Sequence, residues 1–265
     1  MQNLTIILHS GGAGISVYNT DPDSGDVTWV RDITFELEGP GTVPDRQEAS
    51  HPHQALWDPS GKFVSVPDLG ADLVRLFARD PAKADIVEVG AIQVPAGTGP
   101  RHGIFYPAEG QAQFYYVVGE LSNTVTSYKI EYSGNTAEFT QIQVISTLPE
   151  DYEGETPAAG EIILAPNGKH VYVSNRLDTI FADTSSMVVY GINTESGMLE
   201  KIELFNGYTQ NIRHMTIHPD GNWLITAGQD SSSVASIKIN PETGRAIQVS
   251  DSLTLDKPVC LQWAP

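Results

Sequence analysis

HPHQALWDPSGKFVSVPDLGADLVRLF, residues 51–77, decides the fold because three later stretches repeat its pattern. They are GPRHGIFYPAEGQAQFYYVVGELSNTVTSYKI (99–130), AGEIILAPNGKHVYVSNRLDTIFADTSSMVVYGI (159–192) and NIRHMTIHPDGNWLITAGQDSSSVASIKI (211–239). Each has a polar entry, a short apolar run and a turn containing proline. A β-rich run, a polar turn and a second β-rich run follow. A repeat of about 50 residues built only of strands implies a β-propeller.

The turn prolines are Pro59, Pro107, Pro166 and Pro219, spaced by 48, 59 and 53 residues. PVCLQWAP (258–265) begins a further copy, and the first residues supply the rest of it as LTIIL (4–8), ISVYN (15–19) and VTWVRDITFEL (27–37). The fold class expected is therefore all-β: five blades of four antiparallel strands, a to d, with the closing blade made from both chain ends. Such closure removes exposed sheet edges. The b strands LTIIL, FVSV, FYYVV, VYVS and WLIT are short and rich in β-branched and aromatic residues. DPSGK, APNGK and HPDGN suit tight hairpin connections. No stretch carries a capped 3.6-residue apolar period, so helix content should be very low. The chain is expected to be one domain over 1–265.

The chain has 265 residues and a formal net charge of −18. That balance argues against nucleic acid as a partner, since phosphate backbones need a basic surface. A small anionic substrate stays compatible, because a local arginine cluster can sit in an acidic shell. Cys260 is the only cysteine, which excludes an internal disulfide and fits a reducing, cytoplasmic setting. No apolar run is long enough to span a membrane, and MQNLTIILHSGG lacks the pattern of a signal peptide.

Residues at equivalent phases of the repeat share one surface, with strand a lining the channel. Six residues before the anchor prolines lie His53, Arg101, Gly160, Arg213 and Val259; five before lie Gln54, His102, Glu161, His214 and Cys260. Just past strand b come Asp68, Glu120, Arg176 and Gln229. Three of the 15 basic residues fall at these phases. Arginines hold a carboxylate or phosphate bidentately, and His and Glu supply acid–base chemistry. Some of these residues have a structural reading instead: arginines bridging blades, Glu120 neutralising one of them, Glu161 pinning a strand. There is no phosphate-binding glycine loop, no G-x-S-x-G elbow and no zinc-type spacing. A calcium site from Glu120, Glu161 and Asn175 is countered by the neighbouring arginines. No cofactor and no metal are expected.

ASHPHQALWDPSGKFVSVPDLGADLVRLF, GTGPRHGIFYP, GEIILAPNGKHVYVSNR and PVCLQW together resemble the propeller lactonase family. That family includes cycloisomerase-type 6-phosphogluconolactonases and fungal 3-carboxy-cis,cis-muconate lactonizing enzymes. The resemblance implies a site built from His53, Arg101, Glu120 and Arg176, the same four the phase count reaches. It also implies seven blades, so about two repeats of the family are expected before Met1. The expected function is hydrolysis of a small anionic sugar lactone such as 6-phosphogluconolactone. Arg101 and Arg176 would bind the anion, with Arg213, His102, His214 and Glu161 lining the site, while His53 and Glu120 handle water and proton. The alternatives are the muconate cyclase reaction, which forms the lactone, and a non-catalytic interaction scaffold. An exposed apolar patch would favour the scaffold; the polar set at the channel mouth favours the enzyme.

Overall fold

The computed structural model describes residues 3–9, 13–37, 39–134, 136–154 and 157–263. Among the described residues there is no helix, as expected. Two compact units divide the chain: residues 1–115 with 129–140, and residues 116–128 with 141–265.

The first unit opens with a three-stranded antiparallel sheet, β1 (Asn3–Leu8), β2 (Gly14–Thr20) and β3 (Val27–Thr34). They coincide with the three N-terminal runs that the sequence reading expects as strands. The next sheet runs β4 (Leu56–Trp57), β5 (Phe63–Asp68), β6 (Leu73–Asp80) and β7 (Asp85–Gln93) in that spatial order. β5 is buried along its whole length, whereas exposed residues recur along the outer strand β7. That is why FVSVPD reads as one nearly continuous apolar run: both of its faces are covered. Ile15, Val17 and Phe35 share one core with Val64, Val66, Phe77 and Ile86, so consecutive sheets pack face to face in this unit.

A third sheet, whose residues are divided between the two units, follows the order β8 (Pro100–Tyr106), β9 (Phe114–Gly119), β10 (Thr124–Ser133) and β11 (Thr136–Ser146). The second unit holds two more. One is β12 (Ala158–Leu164), β13 (His170–Arg176), β14 (Ser186–Ile192) and β15 (Leu199–Asn206). The other is β16 (Ile212–Ile217), β17 (Trp223–Gly228), β18 (Ser233–Ile239) and β19 (Ala246–Thr254). Tyr172, Met187, Val189 and Phe205 pack with Ile212, Met215, Leu224 and Ile237 in one core. The inner strands β12 and β16 are neighbours.

The architecture is thus all-β, with successive meandering sheets packed as in a propeller. The proline turns form as expected. Gly61, Gly168 and Gly221 donate N–H to Asp58, Ala165 and His218 in turn, each glycine with φ near +70°, a region open to Gly at no steric cost. Asp58 reinforces the first turn by accepting the N–H groups of Lys62 and Phe63 at 2.9 and 2.8 Å. Residues 258–263, read as an inner strand, form no strand here. The last two residues of that copy, Ala264 and the anchor Pro265, lie outside the described residues.

Candidate active site

In the first unit, His53 sits in the extended segment before β4. Its N–H donates to the Pro67 carbonyl (2.9 Å), and Leu69 N–H donates to the His51 carbonyl (3.0 Å). Pro52 bridges Asp68. The sequence places Asp68 just past strand b; it is instead the last residue of β5, and its turn is 69–72, matching 120–123 and 229–232. That one-residue difference turns the Asp68 carboxylate inward. It is fully buried and accepts from Ser50 Oγ (2.6 Å), His51 N–H (2.8 Å) and Arg75 Nε and Nη2 (3.0 and 2.9 Å). Arg75 also covers the Phe35 ring at 4.1 Å. Asp68 and Arg75 therefore hold the HPH loop rather than face a ligand.

A hollow of about 200 Å³ opens beside this loop, lined by Asp45, Arg46, Glu48, His51, His53 and Leu69. His51 Nε2 and Glu48 Oε1 lie 2.9 Å apart. The Glu48 carboxyl is held below its ordinary value, first by its own backbone N–H and further by His51. The His53 and His102 rings meet edge-on with centroids 6.4 Å apart. Arg101, on the inner strand β8, is buried, with Nη1 3.5 Å from His102. Gln54 Oε1 accepts the Gly103 N–H at 2.8 Å, joining the HPHQ segment to the GPRH strand. The structure thus brings His53, Arg101 and His102 together. The sequence signal for Gln54 was its phase, five before Pro59, but nothing there showed that it reaches for a backbone N–H.

In the second unit, Arg176 Nη2 lies 2.6 Å from Glu120 Oε2, with the two side chains only 7% and 3% exposed. The same nitrogen donates to the Ala159 carbonyl at 3.3 Å, and Ala159 N–H donates to the Glu120 carbonyl at 3.2 Å. Arg176 thus joins the end of β13 to the Glu120 turn and to β12. Glu161 Oε2 lies 3.8 Å from His214 Nε2. His214 Nδ1 accepts the Leu261 N–H at 3.2 Å, so in the neutral ring Nε2 carries the proton and points it toward Glu161. Register shifts fall at Ala159/Ile162 in β12 and at Ile212/His214 in β16. The intervening Gly160–Glu161 and Arg213 therefore occupy bulges, which re-aim side chains and recur beside active sites. Gly160 is needed there, because a Cβ would press on Ser174 Oγ at 2.6 Å and the Ile212 carbonyl at 3.0 Å. Arg213 itself is half-buried.

Among the described residues no group of three His, Cys, Asp or Glu could hold a metal ion, and no helix is long and apolar enough to cross a membrane. Chemically, each unit offers a different tool. One has histidines beside a buried arginine at a polar hollow. The other has a compensated arginine–carboxylate pair and a carboxylate–histidine pair.

Residues 6–263 match the family described as Lactonase, 7-bladed beta-propeller. A relative from Arthroderma benhamiae named "Probable 6-phosphogluconolactonase" is 49% identical over 263 residues, covering 99% of this chain and 66% of its own. The Bacillus subtilis protein named "6-phosphogluconolactonase" is 28% identical over 260 residues, covering 98% of this chain and 69% of its own. A crystal structure of a putative 6-phosphogluconolactonase from Bacteroides fragilis superposes with a TM-score of 0.83 at 26% identity, covering 99% of this chain and 72% of that one. The chain spans just under two thirds of the length of the Arthroderma relative. With the expected repeat, the expected motifs and a match over nearly its whole length, this chain belongs to the seven-bladed propeller lactonase family.

Proposed function

We propose that this chain hydrolyses a small anionic sugar lactone such as 6-phosphogluconolactone. The observation that carries it is the character of the residues on and beside the inner strands: His53, Arg101 and His102 in one unit, Glu120, Arg176, Glu161 and His214 in the other, buried or half-buried. Names of relatives at 49% and 28% identity support the same activity.

In this reading His53 orients and deprotonates the attacking water from the edge of its hollow. Arg101 binds the phosphate or the lactone carbonyl and stabilises the oxyanion that forms as water adds. The charge of Arg176 is already balanced by Glu120, so this pair presents a preset donor array rather than a net positive charge. Water addition gives a tetrahedral intermediate, and collapse expels the ring oxygen, which takes up the proton first removed from water. The product is an open-chain acid. His102, beside Arg101, recognises a substrate hydroxyl. No cofactor is invoked, and the setting is taken to be cytoplasmic. The five sheets are read as five blades; the order of the three N-terminal strands, matching b, c and d of the repeat, supports that reading.

The test is release of 6-phosphogluconate, measured above the spontaneous rate. His53→Ala should lower kcat about 10²–10⁴-fold, and Arg101→Ala about 10²–10³-fold. A wild-type rate equal to the spontaneous one refutes the proposal.

A further inference from the structure

Arg101 sits on a strand whose lead-in, Pro95–Gly99, is PAGTG, with Gly97 and Gly99 at φ +79° and +58°. Such a segment does not fix the strand it feeds by its own stiffness. What grips it is Asp72, the last residue of the turn between β5 and β6. Its backbone is left-handed, φ +51°, and the residue is 6% exposed. The carboxylate accepts Gly97 N–H through Oδ2 and Gly99 N–H through Oδ1, both at 2.7 Å. The Asp72 carbonyl accepts Val94 N–H at 3.1 Å and the Gln93 side-chain amide at 2.9 Å. One residue thus fastens four points of the stretch 93–99, ending two residues before Arg101.

The second unit shows that this is a device of the repeat with a local modification. Asn123 and Ser232 end the corresponding turns with φ +53° and +48°, and their carbonyls accept the N–H groups of Thr147 and Leu255, both at 2.9 Å. Their side chains make weaker versions of the grip: Asn123 Nδ2 donates to the Pro157 carbonyl at 3.0 Å, and Ser232 Oγ accepts Lys257 N–H at 3.4 Å. Of the three, Asp72 alone is ionisable and alone takes two short, charge-assisted N–H bonds. It is also the one that leads into Arg101 and His102.

We propose that Asp72 is a positioning residue. By holding Gly97 and Gly99 it sets where β8 begins, and so where the Arg101 guanidinium points, without touching substrate. Its kinetic consequence rests on the lactonase reading; its structural consequence does not. Misplacement of a binding group by about 1 Å is enough to lower a rate about 10²-fold.

The test uses Asp72→Gly, which keeps the left-handed turn open but removes the carboxylate, beside Asp72→Asn, which tolerates that backbone and retains one acceptor oxygen. In Asp72→Gly the Gly97 and Gly99 amides should exchange faster and the Arg101 Nε–H resonance should move. The kcat/KM for 6-phosphogluconolactone should fall about 10–100-fold, with an intermediate loss in Asp72→Asn. On an Arg101→Ala background the same change should lower the rate by less than about 2-fold, because the residue acts through Arg101. An unmoved Arg101 resonance in folded Asp72→Gly, or a full additive loss on the Arg101→Ala background, overturns the proposal. A wild type that hydrolyses no lactone refutes the lactonase reading instead, and the exchange and resonance measurements then decide the positioning role. If Asp72→Gly fails to fold, Asp72→Asn is read by the same two signals.

Discussion

Removing the Glu120 carboxylate should destabilise the second unit far more than removing the whole Glu120–Arg176 pair. The two side chains are 3% and 7% exposed and meet at 2.6 Å. At that separation and an effective dielectric of about 20, their gross attraction is about 6 kcal/mol. Desolvation of each ion, several kcal/mol, opposes it, so the net worth of the intact pair is small. Glu120→Ala removes the attraction and leaves the desolvation of Arg176 in place, with the Ala159 carbonyl still accepting from it. The expected loss is about 3–5 kcal/mol. At roughly 2–4 °C per kcal/mol for a chain of this size, the melting temperature should drop by about 6–20 °C. The double variant Glu120→Ala/Arg176→Met, with no charge left, should regain most of that loss. Calorimetry and urea unfolding of the four proteins of this cycle give the coupling directly. A Glu120→Ala loss below about 1 kcal/mol, the range of exposed pairs, would refute the reasoning, as would a double variant no more stable than Glu120→Ala.

Asp68→Ala should strand Arg75, whose other carboxylate, Glu88, is 3.7 Å away and exposed; a loss of about 3–5 kcal/mol in urea unfolding is expected, and an effect near zero would contradict the loop-holding role. Gly70→Ala would drive a Cβ into the Ala49 carbonyl. Overpacking of about 1–3 kcal/mol should appear as a lower melting temperature, with changed resonances for His51 and His53. His170 is buried, and burial, reinforced by Lys169 and only partly opposed by Glu242, holds its pKa below the ordinary 6.5. The unfolded chain therefore binds this proton more readily, and stability should be full above pH 6.5 and decline as pH falls below it toward the depressed folded value. His170→Phe should flatten that part of the stability–pH curve, and an unchanged slope would remove His170 as its cause.

The sequence by itself determined the element types and proposed most of the candidate site residues. Short strands and proline–glycine turns suit a two-sheet sandwich as well, but loops repeating at a fixed phase near 50 residues favour a propeller. The phase of the repeat then named His53, Arg101, Glu120 and Arg176 without coordinates, since equivalent positions of equivalent blades face alike. What only the tertiary structure decided is the use each polar residue makes of its place. Asp68 and Glu120 looked alike in sequence; a one-residue difference in where the strand ends sent Asp68 inward to Arg75 and His51, and Glu120 onto Arg176. Asp72 carried no sequence signal at all, because its partners are backbone N–H groups 25 and 27 residues away. Hydrogen bonds to the main chain leave no mark on the identity of the partner, so a pattern of side chains can name the residues of a site but not the contacts that aim them.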